Sequence, residues 1–213
     1  PLGTIKSRLQ MLAKKYSGRL DEDAEKWIQS AVTVAERLNQ LIVKLLEYSK
    51  AVKTDRKLQP VDCGANVRTV RESLLADIEE CGAQVTVGEL PMVLGHYEDL
   101  SRLFQNLISN AIKYRDPDRP LRMEIGAKAK SEHCLFWVRD NGSGIEAKYL
   151  SKLFTLGTEG RVHKEFARIP GHGYGLHICK TIVAGHGGTI WVESKYGEGT
   201  TVFFTLPSVR TRS

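Results

Sequence analysis

The chain has 213 residues, 41% of them hydrophobic and 26% charged, enough for one large or two small folded domains with a core. That composition excludes a disordered or collagen-like chain; no apolar run nears the roughly 18 residues of a membrane-spanning helix, and Pro1-Leu2-Gly3-Thr4 opens no secretory pattern. The net charge is +6, but lysines and arginines are interleaved with acids, so the expectation is a cytoplasmic chain, or the cytoplasmic part of a longer one, with no nucleic-acid partner.

Ile5, Leu9, Leu12 and Tyr16 recur at three- and four-residue steps, which predicts a helix ending before Gly18. A second helix opens after Asp21-Glu22-Asp23, where acids suit the positive end of the macrodipole. It is expected to run to about Lys50 on the stripe Ile28, Ala31, Ala35, Leu38, Leu41 or Ile42, Leu45 and Tyr48, close to a 3.5-residue repeat. The two read as an antiparallel helical hairpin. Its narrow stripe needs a partner, most simply a second copy, making a homodimer through residues 1–50 as a four-helix bundle. Residues 51–60 are polar, unpatterned and end in Pro60, which is linker composition. The expected domains are therefore 1–53 and 54–213.

Beyond the linker the pattern predicts a helix over 65–81, short strands at Gln84–Val87 and near Val93, and a helix over Tyr97–Tyr114. Strands at Leu121–Ala129 and Cys134–Arg139, a glycine-rich stretch, a helix after Gly175 and strands at Thr189–Ser194 and Thr200–Leu206 follow. Helices grouped apart from hairpin-linked strands indicate an α+β chain, an α/β two-layer sandwich in place of a parallel doubly wound sheet. Cys63, Cys81, Cys134 and Cys179 include no Cys-x-x-Cys pair and read as free thiols.

Three segments carry chemistry. On the helix containing Leu103–Tyr114, Asn106, Asn110, Lys113 and Tyr114 stand at i, i+4, i+7 and i+8, which puts two carboxamides, an ammonium and an aromatic ring on one face. Carboxamide oxygens suit Mg²⁺ that already carries phosphate oxygens. The apolar run Leu135-Phe136-Trp137-Val138 leads into Asp140-Asn141-Gly142-Ser143-Gly144-Ile145; an acid there needs donors, and an adenine amino group is one. Gly142 and Gly144 would let the backbone approach a flat base. Gly171-His172-Gly173-Tyr174-Gly175-Leu176 enters a helix and is a candidate phosphate cradle. The long basic loop before it, over 155–170, reads as a lid.

Taken in order with a closing Gly197-Glu198-Gly199-Thr200-Thr201, these segments resemble the catalytic ATP-binding domain of sensor histidine kinases, in the GHKL ATPase superfamily, over about residues 60–207. The helical pair resembles the dimerisation and phosphotransfer domain of the same family, and Phe104–Arg115 is similar to kinase modules of phytochrome type. The resemblance implies ATP and Mg²⁺ as cofactors, with Asn110 as the metal ligand and Asn106 beside it. It implies nucleotide contacts from Lys113, Tyr114, Asp140, Gly142, Gly144, Ile145, Gly171, Gly173, Gly175, Leu176 and Thr201, the last as a hydroxyl near the base. Phe154 matches the phenylalanine at the lid's start. His172 and Tyr174 depart from the family's usual Thr and Ile.

The implied activity is protein-histidine kinase, passing the γ-phosphoryl of ATP to a histidine and then to an aspartate of a response-regulator receiver domain, under an upstream sensor domain. All six histidines, at 96, 133, 163, 172, 177 and 186, lie outside the hairpin. In the family this resembles, the acceptor histidine stands in a pattern like His-Asp/Glu-x-x-x-Pro-Leu, and the chain opens on Pro1-Leu2, so the resemblance implies an acceptor just ahead of Pro1. The alternatives are a hydrolytic ATPase switch of the same superfamily, whose water-activating Glu would fall at Asn106, or a non-catalytic nucleotide-binding dimer scaffold.

Overall fold

The computed structural model describes residues 2–16, 20–35, 38, 57–151, 153–154 and 175–209. They fall into two compact units, one within the first 56 residues and one from Lys57 onward.

The first unit contains α1 (Leu2–Lys15) and α2 (22–35). Asp21 caps α2, its Oδ1 accepting the Ala24 N–H at 2.7 Å. On α2 the buried side chains are Val32 and Ala35, with Ala24 and Ile28 half-buried, while Ala31 is exposed. The buried face thus follows steps of four, four and three, and Val32 occupies the place expected of Ala31. Within one chain Ile5, Leu12 and Leu38 are each more than two-fifths exposed. Leu41, Ile42, Leu45, Tyr48 and the expected continuation to Lys50 lie outside the described residues.

The second unit opens with β1 (Gln59–Asp62), then α3 (Cys63–Ser73), α4 (Leu75–Glu80), β2 (Gln84–Val87), β3 (Met92–Gly95) and α5 (Tyr97–Lys113). It continues with β4 (Arg122–Ala129), β5 (His133–Asp140), α6 (Ala147–Leu150), α7 (Gly175–Gly185), β6 (Ile190–Lys195) and β7 (Gly199–Pro207). β1 pairs antiparallel with β3, so the last two residues of the expected linker are strand. Pro60, opposite Leu94, is tolerated because β1 has a neighbour on one side alone and needs no N–H on the other. The single helix expected over 65–81 breaks at Leu74 into α3 and α4. Asp62 starts α3 by accepting the Ala65 N–H at 3.0 Å.

The main sheet has the order β2-β4-β5-β7-β6. β2 runs parallel to β4, since β3 and α5 intervene between them; every other pairing is antiparallel. Burial alternates with period two. Met123 and Ile125 of β4, Cys134, Phe136 and Val138 of β5, and Val202, Phe204 and Leu206 of β7 form one buried face. Against it pack Leu100, Leu103, Phe104, Leu107, Ile108 and Ala111 of α5 and Cys179, Ile182 and Val183 of α7. The fold is mixed α/β, a sheet with helices. At its centre Phe136 and Phe204 stack at 5.2 Å, and Phe104 meets both rings edge-on at 6.2 and 5.8 Å. On the opposite face Phe203 stacks against Trp191 at 5.3 Å. Among the described residues no helix is long and apolar enough to cross a membrane.

α5 and α7 lie antiparallel. Cys179 Sγ sits 4.0 Å from the Leu103 carbonyl at mid-length. At one end the His96 N–H donates to His186 Nε2 at 3.0 Å, so His186 Nδ1 carries the proton it gives to the Ile182 carbonyl at 2.7 Å. The C-terminal half of α5 is thereby set beside the N-terminus of α7, where the candidate residues are.

Candidate functional site

α5 is amphipathic, and burial of its Leu103, Phe104, Leu107, Ile108 and Ala111 turns Asn106 and Asn110 away from the sheet core. A Cβ built on Gly175, the first residue of α7, would lie 3.6 Å from both terminal atoms of the Asn110 carboxamide and 3.8 Å from Asn106 Oδ1. Both carboxamides therefore meet the positive end of α7. Asn106 Nδ2 is buried there without a hydrogen-bond partner. One turn on, Lys113 Nζ donates to Tyr114 Oη at 2.7 Å and sits 4.5 Å from the centre of that ring. Among the described residues no three His, Cys, Asp or Glu side chains cluster as a metal cage. Two neutral oxygen donors suit a hard divalent cation, and the neighbouring helix N-terminus suits the phosphate oxygens that such a cation carries.

Asp140 ends β5 on the buried side of the sheet, in register with Thr200. Its Oδ1 accepts the Gly142 N–H at 2.8 Å. Burial pushes its carboxyl up to about 6, against the lowering effects of the Gly142 and Thr200 N–H groups and of Arg119. A half-buried carboxylate held by backbone donors keeps acceptor capacity for a ligand amino group. The turn beyond it is drawn tight. A Cβ on Gly142 would come within 2.6 Å of the Tyr114 carbonyl, and Gly144, at φ +66°, would place one 2.0 Å from the Lys195 carbonyl. No side chain fits at either position. The Ile145 N–H donates to Ser194 Oγ at 2.9 Å, and Ser194 Oγ lies 2.9 Å from Thr200 Oγ1.

The structure thus gathers Asn106, Asn110 and Gly175 at one end of α5, with Leu176 packed against the core, and places Asp140, Gly142, Gly144 and Ile145 around the end of β5. Thr201 stands elsewhere: it is opposite Arg139, whose Nε donates to its Oγ1 at 3.4 Å, on the sheet face away from Asp140. The physical reason is strand alternation. Val202, Phe204 and Leu206 point into the core, so Thr200 does too, and Thr201 cannot. Strand alternation therefore puts Thr200, and not Thr201, on the face of Asp140. Gly171 and Gly173, with His172, Tyr174 and the lid, lie outside the described residues. Phe154 contributes its carbonyl, 3.3 Å from His177 Nδ1 on α7. Sequence reasoning also missed Ser194 and Arg119, whose roles depend on contacts between distant segments.

Residues 95–210 match the family described as histidine kinase-, DNA gyrase B-, and HSP90-like ATPase. Phytochrome-like protein Cph1 of Synechocystis sp. is 36% identical over 207 residues, covering 97% of this chain and 27% of that protein. Sensor histidine kinase WalK of Bacillus subtilis is 32% identical over 216 residues, covering 97% of this chain and 34% of that protein. The chain spans about a quarter to a third of the length of these relatives. Histidine kinase ThkA, solved in complex with response regulator protein TrrA, shares the fold at a TM-score of 0.61 and 18% identity, over 97% of this chain and 58% of that one. The motifs and the fold they produce converge on one conclusion: this chain belongs to the histidine kinase-, DNA gyrase B-, and HSP90-like ATPase family, and its relatives include phytochrome-like proteins and sensor histidine kinases.

Proposed function

We propose that the chain is the kinase core of a two-component sensor, binding Mg-ATP in residues 54–213 and passing the γ-phosphoryl to a histidine and on to a response-regulator aspartate. The observation that carries this reading is the meeting of the Asn106 and Asn110 carboxamides with the first residue of α7, on the same helical layer that approaches Asp140. In this reading Asp140 accepts from the adenine amino group, and the backbone past Gly142 and Gly144 lies against the base. Asn110, with Asn106 beside it, would hold Mg²⁺, which supplies charge neutralisation on the phosphates when bound. Lys113 places a cation on the same helix face, and the α7 N-terminus with Gly171, Gly173 and Gly175 offers N–H groups to the phosphates. Such chemistry is mostly positioning and electrostatics, because imidazole is already a competent nucleophile.

Residues 1–53 act in this reading as the dimerisation and phosphotransfer unit, a hairpin that completes a four-helix bundle with a second copy. The exposure of Ile5, Leu12 and Leu38 within one chain supports it. The first 95 residues contain no histidine, so residues 1–53 supply no acceptor of their own in this reading. The ThkA–TrrA complex supports a receiver domain as the partner. A hydrolytic ATPase would need a water-activating base where Asn106 stands, and a carboxamide cannot take that proton.

Calorimetry with ATP, ADP and GTP in the presence of Mg²⁺ tests the reading. Adenine nucleotides should bind and GTP much more weakly. Incubation with γ-labelled ATP should leave no acid-labile, base-stable label on this chain, and should leave one when a histidine-bearing segment of the family pattern is joined ahead of Pro1. Equal affinity for ATP and GTP overturns the assignment.

A further inference from the structure

Arg119 lies in the connection between α5 and β4, in the run Arg115-Asp116-Pro117-Asp118-Arg119-Pro120. Its Nη2 donates to two backbone carbonyls from segments far apart in sequence, Gly142 at 2.6 Å and Gly197 at 2.8 Å. Asp116 Oδ2, 3.5 Å away, orients the guanidinium. Nε of the same side chain is buried without an acceptor. A buried unpaired donor is unfavourable, so the position is held for what the other nitrogens do.

Both carbonyls belong to turns that supply donors to Asp140. Gly142 gives its own N–H to Asp140 Oδ1, and Gly197 begins the turn that leads through Glu198 and Gly199 to Thr200, whose N–H also supports that carboxylate. The turns are joined to each other by the Gly197 N–H on the Ser143 carbonyl at 2.8 Å. They are joined to the asparagine helix by the Ser143 N–H on the Tyr114 carbonyl at 3.0 Å. The two hydrogens of a single Nη2 lie in the plane of a guanidinium that Asp116 orients, so both carbonyls are met from one fixed direction, which a freely rotating lysine ammonium does less well.

Building on the nucleotide reading above, we propose that Arg119 is the positioning residue of the base-recognition site, tying the β5–α6 turn to the β6–β7 turn so that their N–H groups hold the Asp140 carboxylate in place for an adenine amino group. The charged group acting on Asp140 is Arg119 itself, and the remaining partners are the Gly142 and Thr200 N–H groups. Arg119 therefore also favours the ionised form of that carboxylate.

The test uses the 213-residue chain with Arg119→Gln and Arg119→Lys, read by ADP calorimetry and by carbon-detected NMR titration of the Asp140 carboxyl without nucleotide. Arg119→Gln should weaken ADP binding by about tenfold or more and move the Asp140 midpoint to higher pH. Arg119→Lys, which keeps the charge and loses the fixed planar donor, should leave the midpoint near that of the unmutated chain while still weakening ADP. An Arg119→Gln protein with unchanged midpoint and ADP affinity within about twofold of the unmutated chain overturns the proposal. If Arg119→Gln loses its near-ultraviolet dichroism, Arg119→Lys decides, and full ADP affinity there overturns it. Should the unmutated chain bind no adenine nucleotide, the functional reading fails and the base-recognition role of Arg119 is overturned with it, whereas nucleotide binding that survives Arg119→Gln and Arg119→Lys unchanged overturns the role of Arg119 alone.

Discussion

Asp140 of β5 faces Thr200 of β7 across the sheet, on the side that carries the core, and its Oδ1 takes the Gly142 N–H at 2.8 Å. Burial raises this carboxyl from 3.8 to about 6, so the folded chain binds the proton more tightly than the unfolded one. Ionising Asp140 therefore costs stability. The cost is absent below about pH 4, grows as pH rises and is complete above about pH 6. Two units correspond to at most about 3 kcal/mol, and partial exposure reduces that to about 1–2 kcal/mol. Asp140→Asn should raise the thermal midpoint of the nucleotide-free chain at pH 7.5, with the gain vanishing near pH 4. The same substitution should weaken ADP binding by about 2–3 kcal/mol. In the unmutated chain ADP affinity should fall as pH drops through about 6. Calorimetry and thermal melts across pH check these outcomes.

Thr200 and Thr201 differ by the face they occupy. Thr200→Val removes the hydroxyl that meets Ser194 beside Asp140 and should weaken ADP by about 1 kcal/mol. Thr201→Val alters a long contact with Arg139 on the far face and should leave ADP affinity unchanged. The reverse order of effects in a paired titration would reassign the residue near the base to Thr201.

Phe203 and Phe204 provide a parallel contrast in stability. Phe204 is fully buried between Phe136 and Phe104, so Phe204→Ala should cost about 3–5 kcal/mol in urea denaturation. Phe203 stacks on the partly exposed Trp191, and Phe203→Ala should cost about 1 kcal/mol. Similar losses at both positions would contradict the one-sided core.

Leu12 and Leu38 are 45% and 44% exposed within one chain. If a second copy covers them, Leu12→Glu or Leu38→Glu should give a light-scattering mass of one chain, where the unmutated protein gives two. ADP binding should survive in both variants. A single-chain mass for the unmutated protein at micromolar concentration excludes the dimer.

Much of this protein was legible in its sequence because the signals are local. The 3.6-residue period of Leu103, Phe104, Leu107, Ile108 and Ala111 determined α5 and, with it, the shared face of Asn106 and Asn110. The short apolar run Cys134–Val138 marked β5 and the position of Asp140 at its end, while the folded sheet decided which of its side chains face the core. The glycines at 142 and 144 marked a place of close backbone approach, which the fold fills with the Tyr114 and Lys195 carbonyls.

Pairing across the chain was decided by tertiary structure alone. Gln59 and Pro60 have linker composition, and they became strand because β3 offered an edge that needs no proline N–H. Ala31 lies on the 3.5-residue stripe of α2, but burial follows Val32, since a straight helix turns at 3.6 residues and its packing chooses the face. Arg119 carried no motif. Its importance comes from two carbonyls 23 and 78 residues away that only the folded chain brings to one guanidinium, and hydrogen bonds of that range leave no periodic trace in a sequence.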